Sequence, residues 1–174
     1  NYGFEKLEWA YQAIKPKIVI EKMLQENKGS DAKDFKFHMF HGKCCFIEVN
    51  FDRIIHSGKY LTSFFNAQWN RLYKINPIYE PGPDLGKPDN FDIMLMLADK
   101  LSAFFDYVRV DLYNINGKIF FGELTHYPFS GTRPFDPISL DFELGEKWIL
   151  KPQYWKQYRW EKFEKLNSKN KKFR

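Results

Sequence analysis

Arg109, Asp111 and Glu123 are the residues of this chain whose types and spacing best suit chemistry. Arg109 and Asp111 alternate with Val108, Val110 and Leu112, so a strand there would put the two charges on one face. Beyond Asn116-Gly117 a second arm carries Phe120, Gly122 and Leu124 as apolar or small residues, and Glu123 and Thr125 as polar ones; Phe121 breaks the pattern. Both arms can bury one common face only if odd residues pair with odd residues. A three-residue loop, Ile115 to Gly117 with Gly117 left-handed, keeps that parity, whereas a two-residue Asn116-Gly117 turn would mix the faces. The predicted register sets Arg109 opposite Glu123, with Asp111 a diagonal neighbour. Two carboxylates beside a guanidinium, with no soft ligand, suit a hard cation such as Mg²⁺, which completes its shell with phosphate and water. The same spacing also fits an ordinary ion pair on a solvated strand face.

The elements that must position these residues follow from local pattern. Leu7 to Ile14 reads as a short helix, ended by Lys15-Pro16 because a residue before proline avoids the helical region. Ile18-Val19-Ile20 is a β-branched run and reads as a strand. The polar stretch from Gln25 to Lys33 reads as a loop. Asp34 to Phe40 alternates, His41-Gly42-Lys43 reads as a hairpin turn, and Cys44 to Asn50 as the return strand. Phe51 to Asn66 is expected to be a loop, and the Pro- and Gly-rich stretch from Pro77 to Pro88 a connection. Phe91, Met94, Leu95, Ala98, Leu101 and Phe105 recur at helical spacing, which predicts a helix over Asn90 to Phe105 with Asp89 as its cap. A last helix is expected from about Pro152 to Leu166. Hairpins with separate helices indicate an α+β protein, an antiparallel sheet with helices on one side. No βαβ alternation and no Gly-rich phosphate loop occurs, which argues against a Rossmann or P-loop protein.

Composition adds limits. A chain of 174 residues with 44% hydrophobic residues can build one substantial core. No apolar run reaches the roughly 18 residues that a membrane span needs. The chain opens without Met and without the features of a secretory signal, so an upstream segment and a cytoplasmic setting are expected. Cys44 and Cys45 are adjacent, and neighbours on a strand point to opposite faces, so they suit neither a disulfide nor, with His38 and His41, a zinc site. From Lys156 to Arg174 stand eight Lys or Arg against two Glu, while the rest of the chain is nearly neutral. The basicity thus belongs to the tail, so nucleic acid is not an expected partner. Trp155, Trp160 and Phe163 are interleaved with that charge, and the tail is expected to be drawn to anionic surfaces, including the inner face of a membrane.

The segment from Val108 to Gly131, ending Gly122-Glu123-Leu124-Thr125-His126-Tyr127-Pro128-Phe129-Ser130-Gly131, resembles the carboxyl-terminal motif of ATP-grasp enzymes, and in particular the TupA-like branch tied to teichuronopeptide and polysaccharide biosynthesis. Lys15-Pro16-Lys17-Ile18-Val19-Ile20-Glu21-Lys22-Met23-Leu24 is similar to the strand and hinge that read adenine there, and Asp34-Phe35-Lys36-Phe37 through Gly42-Lys43 to the strand pair that follows. The resemblance covers about residues 1–150 and implies the carboxyl-terminal half of an ATP-grasp fold, with 151–174 as a basic aromatic tail. It implies ATP and Mg²⁺ as cofactors. The backbone of Glu21, Lys22, Met23 and Leu24 would bind adenine, Asp34 would meet the ribose hydroxyls, and Lys36 would belong to the same nucleotide site. Lys59 would be a loop cation near the terminal phosphate and Arg109 would steady an acyl phosphate, these two being the implied catalytic residues. Asp111, Glu123 and Thr125 would hold the metal. The wider superfamily usually has Asn at the last of these positions, so Thr125 implies a weaker oxygen ligand. The lysines of the amino-terminal lobe have no counterpart in this chain.

The function implied is an ATP-dependent carboxylate–amine ligase of envelope or capsular polysaccharide biosynthesis, acting on an acidic glycan or an amino acid through an acyl phosphate. Two rivals remain open at this stage. One is a non-catalytic accessory domain that binds carbohydrate or a membrane surface. The other is a truncated, inactive part of an ATP-grasp fold.

Overall fold

The computed structural model describes residues 6, 8, 11, 12, 14–27, 30–53, 60–73 and 75–150. The expected helices over Leu7 to Ile14 and Pro152 to Leu166 lie largely or wholly outside these residues.

The alternation of Asp34 to Phe40 becomes strand β3 (Asp34–Phe40), and it organises the sheet. Phe35, Phe37 and Met39 are buried on one face, while Asp34, Lys36 and His38 take the other. His41 and Gly42 have positive φ, 49° and 75°, and form the two-residue turn into β4 (Lys43–Arg53). Such a turn matches the twist of the strands it joins. Strand β5 (Tyr60–Phe65) pairs with β4. Short strands β6 (Arg71–Leu72) and β7 (Glu80–Pro81) both pair with β5. Strands β8 (Tyr107–Ile115) and β9 (Lys118–Thr125) form the second long hairpin. The seven-stranded sheet runs β6-β5-β4-β3-β8-β9, with β7 parallel to β5 and every other pairing antiparallel. With its helices this is an α+β fold, as the sequence pattern implies.

Helix α1 (Phe91–Ser102) lays Phe91, Met94 and Ala98 on β3, β4 and β8. Its cap is Asn90 rather than Asp89, so it starts one residue later than expected, and it stops three residues short of Phe105. Asp92 in its first turn and Lys100 in its last complement the helix dipole. Phe37, Trp69, Met94, Val108 and Val110 share this core. A buried side chain of this size stabilises the fold by about 1.5–3 kcal/mol. The Asn90 amide donates to the Gly117 carbonyl at 2.9 Å, and the Asn114 amide donates to Asn90 Oδ1 at 2.6 Å. These bonds fix the β8–β9 turn against the helix start. Helix α2 (Ser139–Lys147) sends Leu144 to a second apolar cluster with Phe40, Phe46, Phe64 and Ile75 on the opposite face of the sheet.

Four local expectations are corrected. Ile18-Val19-Ile20 belongs to no strand, and Ile18 is 92% exposed. A β-branched run has strand propensity, but a strand also needs a partner edge. The stretch read as a loop from Phe51 to Asn66 contains the end of β4 and all of β5. The polar run after Leu24 forms a small separate hairpin, β1 (Gln25–Asn27) with β2 (Ser30–Asp31). The fourth correction is the hairpin register. The β8–β9 turn has two residues, Asn116 and Gly117, with φ of 50° and 76°, and Ile115 pairs with Lys118. A regular ladder from this turn would set Arg109 opposite Leu124, yet it stands opposite Thr125, and not opposite Glu123 as expected. The faces still match, because the register shifts by one residue between Val110 and Leu112. Gly122 and Glu123 together oppose Asp111, a β-bulge. Ile119 and Leu124 then pack against the core, and Phe121, opposite Leu112, lies on the same side of the strand but stays 55% exposed. A Cβ on Gly122 would lie 3.1 Å from the Asp111 carbonyl oxygen and from the Tyr113 ring.

Candidate functional site

The bulge brings the polar side chains of β8 and β9 together. Arg109 Nε donates to Asp111 Oδ1 and Nη2 to Oδ2, both at 2.7 Å, a two-point pairing between neighbours on one strand face. Nη2 also reaches Glu123 Oε1 and Thr125 Oγ1, each at 3.0 Å. Thr125 donates its hydroxyl proton to the same Glu123 oxygen at 2.7 Å. From β3, Lys36 bridges Asp111 at 2.7 Å and Asp34 at 2.5 Å. Asp34, Lys36, Arg109, Asp111, Glu123 and Thr125 therefore form one continuous network across three strands.

Its members differ in exposure. The Asp111 side chain is 3% exposed and Glu123 62% exposed. Burial opposes the charge on Arg109, but the hydrogen bonds and charge of Asp111 outweigh it and hold the guanidinium above its ordinary pKa. Lys36 behaves alike: burial would lower it, yet Asp111 and Asp34 keep it raised. Burial raises the Asp34 pKa against the pull of Lys36, and Asp34 Oδ1 is buried without a hydrogen-bond partner.

A second network adjoins the first on the same sheet face. Glu48 on β4 accepts from Arg133 Nη1 at 2.7 Å and meets His38 Nε2 at 3.4 Å. Burial alone would raise the Glu48 pKa; the His38 hydrogen bond and the Arg133 charge hold it well below the carboxylate range. Burial lowers His38 to about 4 despite Glu48, so the imidazole is neutral. An ionised Glu48 can only accept, so His38 Nε2 carries the proton and Nδ1 accepts from the Tyr107 hydroxyl at 2.9 Å. Sequence reasoning missed Glu48, Tyr107 and Arg133. Glu48 has a visible signal: in β4 it follows Phe46 on the face opposite Ile47 and Val49, an acid where a covered sheet would place a hydrophobe. Arg133 carries no such signal, because its partner lies 85 residues away.

The remaining expected site residues are not joined to this cluster. Glu21, Lys22 and Met23 lie exposed in a segment without regular secondary structure, and Leu24 is half-buried. Lys59 and the tail from 151 onward fall outside the described residues. His38 is buried beside Glu48, whereas His41 faces Asp106 at 3.7 Å. Burial lifts the Cys44 thiol to about 12.

The donor set of Asp111, Glu123 and Thr125 is all hard oxygen, as Mg²⁺ prefers. Among the described residues no three His, Cys, Asp or Glu side chains gather as a metal cage. Both Asp111 oxygens are held by cations, and both hydrogen bonds to Glu123 fall on Oε1. The residues therefore fit an ion that arrives with phosphate oxygens, rather than one the protein holds alone.

A family model described as TupA-like ATPgrasp matches residues 1–149. The chain belongs to the TupA-like ATP-grasp family. No match is found among curated proteins or among solved structures. Membership places this TupA-like chain, at a coarse level, with ATP-grasp-type ligases and implies nucleotide binding. The ATP-grasp family generally uses ATP and Mg²⁺. Among the described residues of this TupA-like protein no helix is long and apolar enough to cross a membrane.

Proposed function

We propose that the chain carries the nucleotide- and metal-binding part of an ATP-dependent carboxylate–amine ligase. The observation that supports this most is the convergence of Asp111, Glu123 and Thr125 on Arg109 at the edge of one sheet face. Lys36 and Arg109 stand against Asp34, Asp111 and Glu123, so the cluster has a net charge near −1. A divalent cation would bring it to about +1, a suitable counter-charge for polyphosphate.

In this reading Asp111, Glu123 and Thr125 would hold Mg²⁺, which would offset charge on the transferring phosphoryl group. A substrate carboxylate oxygen attacks the terminal phosphorus of ATP; the new P–O bond forms as the bond to ADP breaks. An amine then attacks the acyl carbon, phosphate leaves and the amine loses a proton. Arg109, already fixed by Asp111, presents its charge to the acyl phosphate without reorganising, which is where a preorganised cation is most effective. Asp34, with one buried oxygen unpaired, is the acceptor for a ribose hydroxyl, and Lys36 holds it in place. The backbone of Glu21 to Leu24 reads adenine and Lys59 faces the terminal phosphate. The context is envelope or capsular polysaccharide, with an amino acid joined to a uronic-acid carboxyl. The basic tail draws the enzyme to anionic surface on the cytoplasmic side of the membrane.

Titration of a fluorescent ATP analogue with and without Mg²⁺ tests this. Binding that depends on Mg²⁺ and is lost in Glu123→Gln is expected. Nucleotide binding indifferent to both the ion and Glu123 would remove the metal assignment.

A further inference from the structure

His38 stands opposite Arg109 across β3 and β8, and it helps to wall a cavity of about 220 Å³ between the sheet and helix α2. Phe40, Phe46, Tyr107, Phe135 and Trp148 supply most of the remaining wall. The rings of Tyr107 and Trp148 lie 5.5 Å apart, and those of Phe40 and Tyr107 4.9 Å apart. An apolar cavity of about 150 Å³ is enough to hold benzene, so this one has room for a ring with a short chain.

The basic side chains in the wall are already committed. The Arg133 guanidinium donates to Glu48 at 2.7 Å and to the Tyr79 phenol oxygen, packs over the rings of Tyr79 and Phe129, and keeps Nε and Nη2 sealed from the cavity. Glu48 also balances its charge. His38 is neutral, with Nε2 turned to Glu48 and Nδ1 to the Tyr107 hydroxyl, and Tyr107 spends its proton there. Asp141 is different. Asp141, Leu144 and Gly145 all line the cavity and recur at i, i+3 and i+4, so one face of α2 looks onto it. Asp141 is exposed at the rim, and among the described residues its carboxylate has no hydrogen bond or ion pair. A Cβ added at Gly145 would meet nothing within 4 Å, so the space beside Asp141 is open. The described lining thus offers ring faces and an unpaired carboxylate, with no free cation. Both features attract an ammonium group and neither holds an anion.

We propose that this cavity is an amine subsite, which takes the apolar body of an organic amine among its rings and the ammonium group on the Asp141 carboxylate at its rim. Asp141 is then a specificity determinant that selects a cationic head over a neutral or anionic one. Only the description of this amine as the acceptor of a ligase rests on the function proposed above; the recognition itself does not. In that reading the pairing of His38 with Arg109 sets the amine beside the residue assigned to the acyl phosphate, so the nucleophile and the activated carboxylate approach each other along one sheet face.

The experiment is a calorimetric titration of the full chain at pH 7, without nucleotide, using 2-phenylethylamine and its uncharged counterpart 2-phenylethanol. The amine should bind, and the alcohol should bind about tenfold more weakly, as expected when a charge-assisted hydrogen bond is lost. Asp141→Asn should erase that preference while the alcohol still binds. Glu143→Gln removes another exposed acid of α2, one that does not line the cavity, and should leave the preference intact. Gly145→Phe should weaken both probes by filling the cavity. Circular dichroism checks that each variant folds. Equal affinity for amine and alcohol, a preference that survives in folded Asp141→Asn or is lost equally in Glu143→Gln, tighter binding of phenylacetate than of the amine, or no binding to the natural chain would each overturn the subsite. Mg²⁺-dependent ATP binding, measured separately, would still stand, so failure here is distinguishable from failure of the ligase reading.

Discussion

Lys36 and Asp111 face each other across β3 and β8, and their side chains meet at 2.7 Å although 75 residues separate them in the chain. Lys36 also holds Asp34, and Asp111 also holds Arg109. This one contact couples the strand assigned to the ribose with the hairpin assigned to the metal.

Removing its cation should be costly. Lys36→Met leaves Asp34 and Asp111 as close buried acids, and breaking a buried pair costs about 3–5 kcal/mol. Burial already raises Asp34, so without Lys36 its folded pKa rises further above the unfolded value. A carboxyl raised on folding favours the folded state more as pH falls through that pKa. The deficit seen by urea denaturation at pH 7 should therefore shrink toward acid pH. A deficit independent of pH would argue against this role.

The two carboxylates should separate in stability though not in function. Both Asp111→Asn and Glu123→Gln should abolish Mg²⁺-dependent ATP turnover in the complete enzyme. From sequence, neither change is expected to disturb the fold, since two unligated like charges on one face repel mildly. The structure corrects this for Asp111, which is buried under Arg109 and Lys36. Asp111→Asn should lose about 3–5 kcal/mol by uncovering two buried cations. Glu123→Gln should change stability by less than about 1 kcal/mol, because its side chain is mostly exposed. Paired melting and turnover measurements distinguish the two.

Gly122 should resist replacement. In Gly122→Val the added carbon meets the Asp111 carbonyl at 3.1 Å, and a strand backbone yields less readily than a side-chain tip. A loss of about 1–3 kcal/mol is expected from such overpacking. Nucleotide affinity should fall too, as Glu123 is displaced with its neighbour. Unchanged affinity in a folded Gly122→Val variant would show that the bulge does not position Glu123.

The His38–Glu48–Arg133 network predicts acid sensitivity. Burial lowers His38 to about 4 from an ordinary 6.5, so the unfolded chain takes up its proton first as pH falls. Stability is thus fully present above about pH 6.5 and drops toward pH 4 by at most about 1.4 kcal/mol per pH unit. Glu48, held low, adds a further loss below its unfolded value. His38→Gln keeps a donor and an acceptor but does not titrate, and should flatten the profile between pH 6.5 and 4. Denaturant midpoints across that range provide the check.

Local pattern carried the sequence reading where a single element decides the outcome. Helix α1 is legible because Phe91, Met94 and Ala98 repeat at helical spacing, and β3 because Phe35, Phe37 and Met39 alternate with polar residues. The site face of the β8–β9 hairpin is legible too, yet its register is not. Asn116-Gly117 is a strong two-residue turn signal, and parity alone could not show that a bulge at Gly122 restores the match. Ile18-Val19-Ile20 misleads because propensity does not supply a pairing edge. Arg133 was invisible because it gains meaning only from Glu48, Tyr79 and Phe129, brought together by the tertiary fold.

The bulge in β9 has a consequence for how this strand can vary in length. Asp111 faces two residues, Gly122 and Glu123, where a regular ladder would need one. Loss of Gly122 alone would let Glu123 oppose Asp111 while Thr125 still opposes Arg109, and Ile119, Phe121 and Leu124 would stay on the core side. Loss or gain of one residue in the Asn116-Gly117 turn would instead turn Ile119 and Phe121 outward. Gly122 is thus the point where the hairpin can absorb a one-residue gap without scrambling the order of its side chains. Homologous hairpins that differ in length by one residue are expected to place the difference there, giving up local twist but keeping the acid, the hydroxyl and the guanidinium on a shared surface.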